Sequence, residues 1–265
     1  MSALEKAHGY GGRMSKGMGK RGQMTLFIIV GVILVLSVTI LALYRTSIIK
    51  SPQPETEQSS SIRIYVDDCL RQVALKGVYI LGQQGGYIYT DKKLVYKGEN
   101  ATYAYHYYEG KDTTPSITDM ENDISAYIEN NLNLCLNGFA PYKDKSMGIE
   151  TGQMKADTTI GIDDISIKLN YPVTVTEGNE KTTVKDYSIA LPIRLGYINS
   201  VIKLISGKEI EDPDWIDLEY LTTFDVNINV RFGGNGNVLY EITDPKSAKV
   251  NNGVYLFNTA SRFKE

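Results

Sequence analysis

The stretch FDVNINVRF, Phe224–Phe232, alternates five apolar residues with four polar ones. Successive side chains of a strand point to opposite faces, so this alternation indicates a strand with one buried face. The next five residues, GGNGN, suit a turn with positive φ, and VLYEIT, Val238–Thr243, alternates again. The sequence therefore predicts a β-hairpin between these two strands.

Further alternation and helical periodicity extend this pattern to a fold class. Ile165–Glu177 and Lys181–Ile193 predict a second hairpin. Apolar residues at steps of three and four predict helices over about 61–81, from about Thr118, and over 195–205. We therefore expect an α+β domain in which helices pack on one face of an antiparallel sheet.

A long apolar run near the N-terminus predicts a transmembrane helix. Residues 24–44 are 21 uncharged residues in succession, and a helix of that length rises about 30 Å, the thickness of bilayer hydrocarbon. The run is longer than the apolar core of a cleavable signal peptide. Charged residues also stand at both of its ends, which is unusual for a buried core helix of a soluble protein. Its basic flank, residues 1–23, predicts a cytoplasmic N-terminus and an extracytoplasmic C-terminal part.

Charge limits the class of partner. Residues 1–23 carry five basic residues and one acid, a net charge of +4. Since the whole chain carries −3, the remaining residues carry −7. Nucleic-acid binding needs clustered Lys and Arg, so this balance argues against a nucleic-acid partner.

The segment Arg21-Gly22-Gln23-Met24-Thr25-Leu26 resembles the processing site and stem of archaeal type IV pilin-like proteins. The resemblance implies cleavage between Gly22 and Gln23. Pilins of that family usually carry Glu at the fifth mature position, where this chain has Phe27. Most of residues 24–265 also resembles single-span extracytoplasmic proteins of unknown role from archaeal genomes, which implies location and fold only. The segments that match are Val66–Tyr89, Glu121–Phe139, Val238–Pro245 and Tyr255–Phe263.

Composition shifts divide the chain into regions. A polar stretch with Pro52 and Pro54 follows the apolar run, and two prolines so close together argue against a continuing helix. The predicted regions are a basic head or leader at 1–23, the span at 24–44, a tether at 45–60, a helical region with a tyrosine-rich insert at 61–146, and a β-rich region at 147–265.

Cys69 and Cys135, the two cysteines of the chain, each lie on the apolar face of a predicted helix. Outside the cytoplasm, two cysteines with none spare are the number expected of one disulfide. The alternative is two small buried side chains that never meet. A catalytic thiol is disfavoured, because neither Cys has a neighbouring His in the sequence.

Seven of the nineteen tyrosines lie between Gly85 and Gly110. Tyr103, Tyr105 and Tyr107 alternate, so in a strand they would share one face. Such a row suits a contact surface for a protein or a glycan, and the alternative is a hairpin whose rings cover the helices. Asn100 begins Asn-Ala-Thr, an acceptor triplet for N-glycosylation.

Sequence motifs of enzymes are missing. The chain has two histidines, no Gly-x-Ser-x-Gly elbow, no phosphate-binding loop and no His-Glu-x-x-His. The glycines after Phe232 join two strands instead of opening a helix, which argues against phosphate binding. Asp67-Asp68 and Asp163-Asp164 have no third ligand at calcium-loop spacing. We expect no catalytic residue, no cofactor and no metal.

These observations lead to one hypothesis and one alternative. The hypothesis is a membrane-anchored extracytoplasmic binding or adhesion protein without catalytic activity. It would be held in the lipid bilayer by residues 24–44 and would bind a surface protein or a glycan. The alternative is a pilin-like structural subunit of a surface filament or secretion complex, processed between Gly22 and Gln23. The sequence leaves the oligomeric state and the ligand open.

Overall fold

The computed structural model describes residues 29–39, 57–91, 93–98, 101–145, 147–213, 215–250 and 252–264. The processing site at Gly22 and Gln23 and the acceptor triplet at Asn100 begin outside these ranges, so both stay predictions. The chain divides into two units, Met1–Pro54 and Glu55–Glu265.

The predicted transmembrane helix at residues 24–44 is wrong. In the first unit the structure describes a helix, α1, over residues 29–39. Among the described residues, none of the helices has both the length and the apolarity that crossing a membrane requires.

The second unit combines helices and sheets, so the α+β class is as expected. Its helices are α2 (Glu57–Gln83), α3 (Ile117–Leu136), α4 (Leu195–Glu211) and α5 (Leu218–Leu221), with a 3-10 segment at Asn137–Lys145. Its strands are β1 (Val95–Lys97), β2 (Thr102–Tyr108), β3 (Lys111–Asp112), β4 (Gly148–Thr151), β5 (Lys155–Ile160), β6 (Ile165–Glu177), β7 (Glu180–Leu191), β8 (Asn227–Gly234), β9 (Asn237–Asp244) and β10 (Tyr255–Arg262). Helix α2 begins inside the region predicted to be a tether, at residues 45–60.

The strands form two sheets, whereas the sequence predicted one antiparallel sheet. The first sheet has the order β1-β2-β10-β9-β8, and β3 pairs with the same β2. The predicted hairpin of β8 and β9 is confirmed. Strand β10 pairs antiparallel with β9 but parallel with β2, a contact that joins the C-terminus to the tyrosine-rich stretch. The tyrosine-rich stretch therefore contributes strands to the first sheet.

The second sheet is built on the long strand β6. Strand β7 pairs with β6 as the predicted second hairpin, and β5 and β4 pair with β6 as well. Helix α3 covers β5, where Glu121 and Glu129 accept hydrogen bonds from the backbone N–H groups of Ile160 and Ala156. Side chains of α3 thus satisfy polar groups that an edge strand would otherwise leave unpaired.

Helix α2 packs against α3, β7 and β10 and so contacts both sheets. Its side chains Ile62, Val66 and Leu70 are fully buried at helical spacing. The predicted disulfide is present: Cys69 on α2 and Cys135 on α3 have sulfurs 2.07 Å apart. The bridge joins the two helices over a sequence separation of 66 residues.

Helix α4 is fixed to both sheets at its start. Arg194 donates from Nε and Nη2 to the buried carboxylate of Asp244 at the end of β9, over 3.0 and 2.6 Å. Two residues on, Gly196 lies so close to the loop between β5 and β6 that a Cβ there would be 2.3 Å from the carbonyl oxygen of Gly161. Only glycine permits that approach.

Candidate binding site on the first sheet

The two faces of the first sheet differ. One face contributes Tyr240, Ile242 and Phe257 to the main core, where α2 and α4 pack. The other face carries a separate small cluster of Tyr103, Tyr105, Leu239 and Ala260. We call this second face the outer face, and it borders an open cavity of about 560 Å³. That volume is within the range typical of ligand sites.

Strand register brings polar side chains together on the outer face. Glu241 of β9 is paired with Asn229 of β8 on one side and with Asn258 of β10 on the other. Further across the sheet, Tyr96 of β1 is paired with Tyr103 of β2. We call the cavity above these residues the outer-face cleft. Its lining includes Tyr96, Tyr103, Arg231, Phe232, Glu241 and Asn258.

Arg231, Glu241 and Tyr103 form a hydrogen-bonded group in the cleft. Arg231 forms an ion pair with Glu241 and donates a 2.7 Å hydrogen bond to the hydroxyl of Tyr103. That hydroxyl donates in turn to Glu241 Oε1 over 3.1 Å, and Asn229 donates to Oε2 over the same distance. Burial, then the hydrogen bond to Glu241, raises the pKa of Tyr103, so its phenol keeps its proton. The group has no net charge.

Asn258 provides an unused acceptor in the cleft lining. The side chain is 2% exposed, and its Nδ2 donates to the carbonyl oxygen of Gln83 at the end of α2 over 3.2 Å. Its Oδ1 is buried and has no hydrogen-bond partner among the residues that the structure describes. Buried polar atoms are nearly always paired, and an exception suggests a role outside the fold itself.

Aromatic rings form part of the cleft wall. The ring of Tyr96 meets that of Tyr103 edge to face, with centroids 6.1 Å apart. The cleft therefore offers ring surface beside hydrogen-bonding groups.

Tyr103, Tyr105 and Tyr107, the residues of a possible contact surface, are buried side chains. Each is at most 8% exposed, because β2 lies inside the sheet between β1 and β10. The three rings do not share one environment either. A register shift at this point of the β2–β10 pairing separates Tyr107, which packs on Phe263, from the other two. Only Tyr103 reaches the cleft.

A buried polar cluster on the core face resembles a catalytic triad in composition only. His106 Nε2 lies 3.0 Å from Ser261 Oγ and 3.0 Å from Glu209 Oε2, while Nδ1 lies 3.0 Å from Thr259 Oγ1. In a triad, the acid binds the ring nitrogen that the nucleophile does not use. Here Ser261 and Glu209 share Nε2, and every member is at most 1% exposed. The cluster joins α4 to the sheet and is out of reach of a substrate.

The remaining candidates from the sequence do not come together. Asp67 and Asp68 lie on α2, whereas Asp163 and Asp164 lie in the loop between β5 and β6. Within the described part of the chain, no three His, Cys, Asp or Glu side chains are placed to hold a metal ion.

Four polar residues of the outer face were not predicted as site residues from the sequence: Asn229, Arg231, Glu241 and Asn258. They are distributed over three strands, so they are not close together in the sequence. The polar positions of the alternating strands were the one available signal.

Comparison of the chain with protein-family models, with curated proteins and with solved structures finds no match. The outer-face cleft must therefore be interpreted from its own geometry.

Proposed function

We propose that this protein is an extracytoplasmic binding protein without catalytic activity, and that its ligand occupies the outer-face cleft. The observation that carries the proposal is the unpaired, buried Oδ1 of Asn258 in the lining of an open cavity. An acceptor in that position is costly to the fold unless something donates to it. A bound ligand can supply that donor.

The chemistry of the cleft supports binding over catalysis. Arg231 and Glu241 neutralise each other, and Tyr103 holds its proton. General acid–base catalysis requires a group that gains and loses a proton near the working pH, and the raised pKa of Tyr103 keeps its phenol protonated. The same groups provide directional donors and acceptors, which suits recognition.

The disulfide supports an extracytoplasmic location. Disulfides persist in oxidising compartments and are rare in the cytosol. Cys69 and Cys135 are bonded to each other, and no free cysteine is found among the described residues.

A binding experiment with matched surface variants tests the proposal. Full-length wild-type protein, Tyr96→Asp and Leu134→Asp are each presented to a panel of oligosaccharides, polyphosphates and peptides. The ring of Tyr96 lies in the cleft beside Tyr103, whereas Leu134 is an exposed apolar residue of α3 outside it. We expect at least one ligand to bind wild type and Leu134→Asp equally and to bind Tyr96→Asp at least tenfold more weakly. Equal binding to all three proteins, or no binding at all, would contradict the proposal.

A further inference from the structure

We infer that the ligand of the outer-face cleft is a neutral carbohydrate. This inference rests on the proposed function and gives the chemical class of the ligand. It follows from the charge of the described lining residues, their hydrogen-bonding capacity, the half-buried ring of Tyr96, and the size of the cleft.

The charge balance favours a neutral ligand. Arg231 is the cation of the hydrogen-bonded group in the cleft, and Glu241 pairs with it. The other polar partners, Tyr103, Asn229 and Asn258, are uncharged. An anionic ligand such as a phosphate would have to compete with Glu241 for Arg231. A cationic ligand would have to compete with Arg231 for Glu241.

The hydrogen-bonding groups of the cleft suit hydroxyls. Asn258 Oδ1 needs a donor. The Arg231 side chain is 53% exposed, and its guanidinium is a donor that needs an acceptor where it faces the cleft. A hydroxyl both donates and accepts, so a molecule with several adjacent hydroxyls can satisfy both sites in one pose.

The ring of Tyr96 suits the other surface of a sugar. A pyranose ring presents a face of C–H groups between its polar rims, and an aromatic ring provides a flat apolar surface of comparable size. An aromatic ring in the same lining as hydrogen-bonding side chains therefore complements an amphipathic ring better than it complements a fully polar ligand.

A peptide fits less well. Peptides that bind sheets usually add a strand, which requires a free backbone edge. The cleft is instead lined by side chains on the face of β2, β8, β9 and β10, and the backbones of β2, β9 and β10 are paired on both sides. Its volume of about 560 Å³ also corresponds to a small ligand and not to a protein interface.

Two substitutions at Tyr96 separate ring contact from general apolar contact. Tyr96→Leu keeps an apolar side chain and removes the ring, whereas Tyr96→Phe keeps a ring. For a neutral oligosaccharide measured by titration calorimetry on the full chain, we expect Tyr96→Leu to weaken binding about 3- to 10-fold and Tyr96→Phe to retain it. Asn258→Leu, which removes the acceptor, should weaken binding further, and circular dichroism checks that this buried variant is folded.

The ligand panel distinguishes failure of the inference from failure of the proposed function. Neutral oligosaccharides, acidic oligosaccharides and peptides are compared at 50 and 500 mM NaCl. Binding of neutral sugars with an affinity nearly independent of salt supports the inference. If only acidic sugars or only peptides bind, with loss in Tyr96→Asp, the carbohydrate inference is overturned and the cleft remains a binding site. If nothing binds, both proposals fail.

Discussion

His106 Nε2 on β2 lies 3.0 Å from Glu209 Oε2 on α4, and both side chains are fully buried. Glu209 Oε1 also accepts hydrogen bonds from Tyr240 and Ser261, over 2.8 and 2.6 Å. One carboxylate therefore connects α4 to strands β2, β9 and β10. A buried polar network of this kind stabilises a fold only while every member is paired.

Replacing Glu209 should destabilise the protein strongly. Glu209→Ala leaves His106 and the Tyr240 hydroxyl buried without their partner, and we expect a loss of about 3–5 kcal/mol in the free energy of unfolding. Urea denaturation followed by circular dichroism measures it. Glu211→Ala on the same helix is the control, because its side chain is 69% exposed, and it should cost less than about 1 kcal/mol. Equal losses in the two variants would contradict the assigned role of the network.

Reduction of the disulfide should lower stability without changing the cleft. For a separation of 66 residues, the chain-entropy model gives a loss of about 4 kcal/mol on removing the bridge. The measurement is urea denaturation with and without reductant, together with mass spectrometry after alkylation. We expect Cys69 and Cys135 to be alkylated only after reduction. Alkylation of unreduced protein would remove the support for an oxidising compartment.

Acid should weaken the contact between Arg194 and Asp244. Burial alone would raise the pKa of Asp244, but hydrogen bonds from Arg194 and Ser247 outweigh it and hold that pKa below its ordinary value. A carboxyl with a depressed folded-state pKa contributes stability above its unfolded pKa, near 4, and loses that contribution as the pH falls through the folded value.

The free energy of unfolding measured from pH 6 to pH 2 checks this contribution. Wild type should lose stability below about pH 4 more steeply than Asp244→Asn, which has no carboxyl to protonate there. The variant should also be less stable at pH 6, by about 3 kcal/mol, because Arg194 loses its charged partner. Parallel acid limbs in the two proteins would rule out Asp244 as a source of the pH dependence.

Two glycines of α4 should respond in opposite directions to alanine. Gly196→Ala would place a Cβ 2.3 Å from the carbonyl oxygen of Gly161, so backbone must shift, at a cost of about 1–3 kcal/mol. Gly207 has no atom within 4 Å of the corresponding position, and Gly207→Ala should stabilise the helix by up to about 1 kcal/mol. Thermal denaturation of both variants is the measurement. If both substitutions lower the melting temperature, the close contact between Gly196 and Gly161 is not the reason that alanine is unfavourable at residue 196.

Local patterns in the sequence predicted local structure. The β8–β9 and β6–β7 hairpins follow from period-two alternation across short turns, and the disulfide follows from two cysteines on helical apolar faces. The parallel pairing of β2 with β10 does not follow, because Ala104 and Thr259, which face each other, are far apart in the chain. That pairing places β2, the strand that carries Tyr103, Tyr105 and Tyr107, inside the sheet, which local patterns in the sequence do not predict.

The cleft depends on the same long-range order. Glu241 is a polar position of an alternating strand in the sequence, which predicts a solvated face and nothing more. Glu241 becomes part of a candidate site because Tyr103, Arg231 and Asn258, on three other strands, lie beside it.

Binding of a neutral carbohydrate in the outer-face cleft is tested most directly by ¹H–¹⁵N NMR, which follows the side-chain amide of Asn258 while a neutral oligosaccharide is added to the full-length protein. We expect the Asn258 amide signal and the Arg231 Nε–H signal to shift and to saturate at the same ligand concentration. The side-chain amide signals of Asn131 on α3 should stay unchanged. Saturable binding that leaves both cleft signals in place, or shifts those of Asn131 instead, would contradict it.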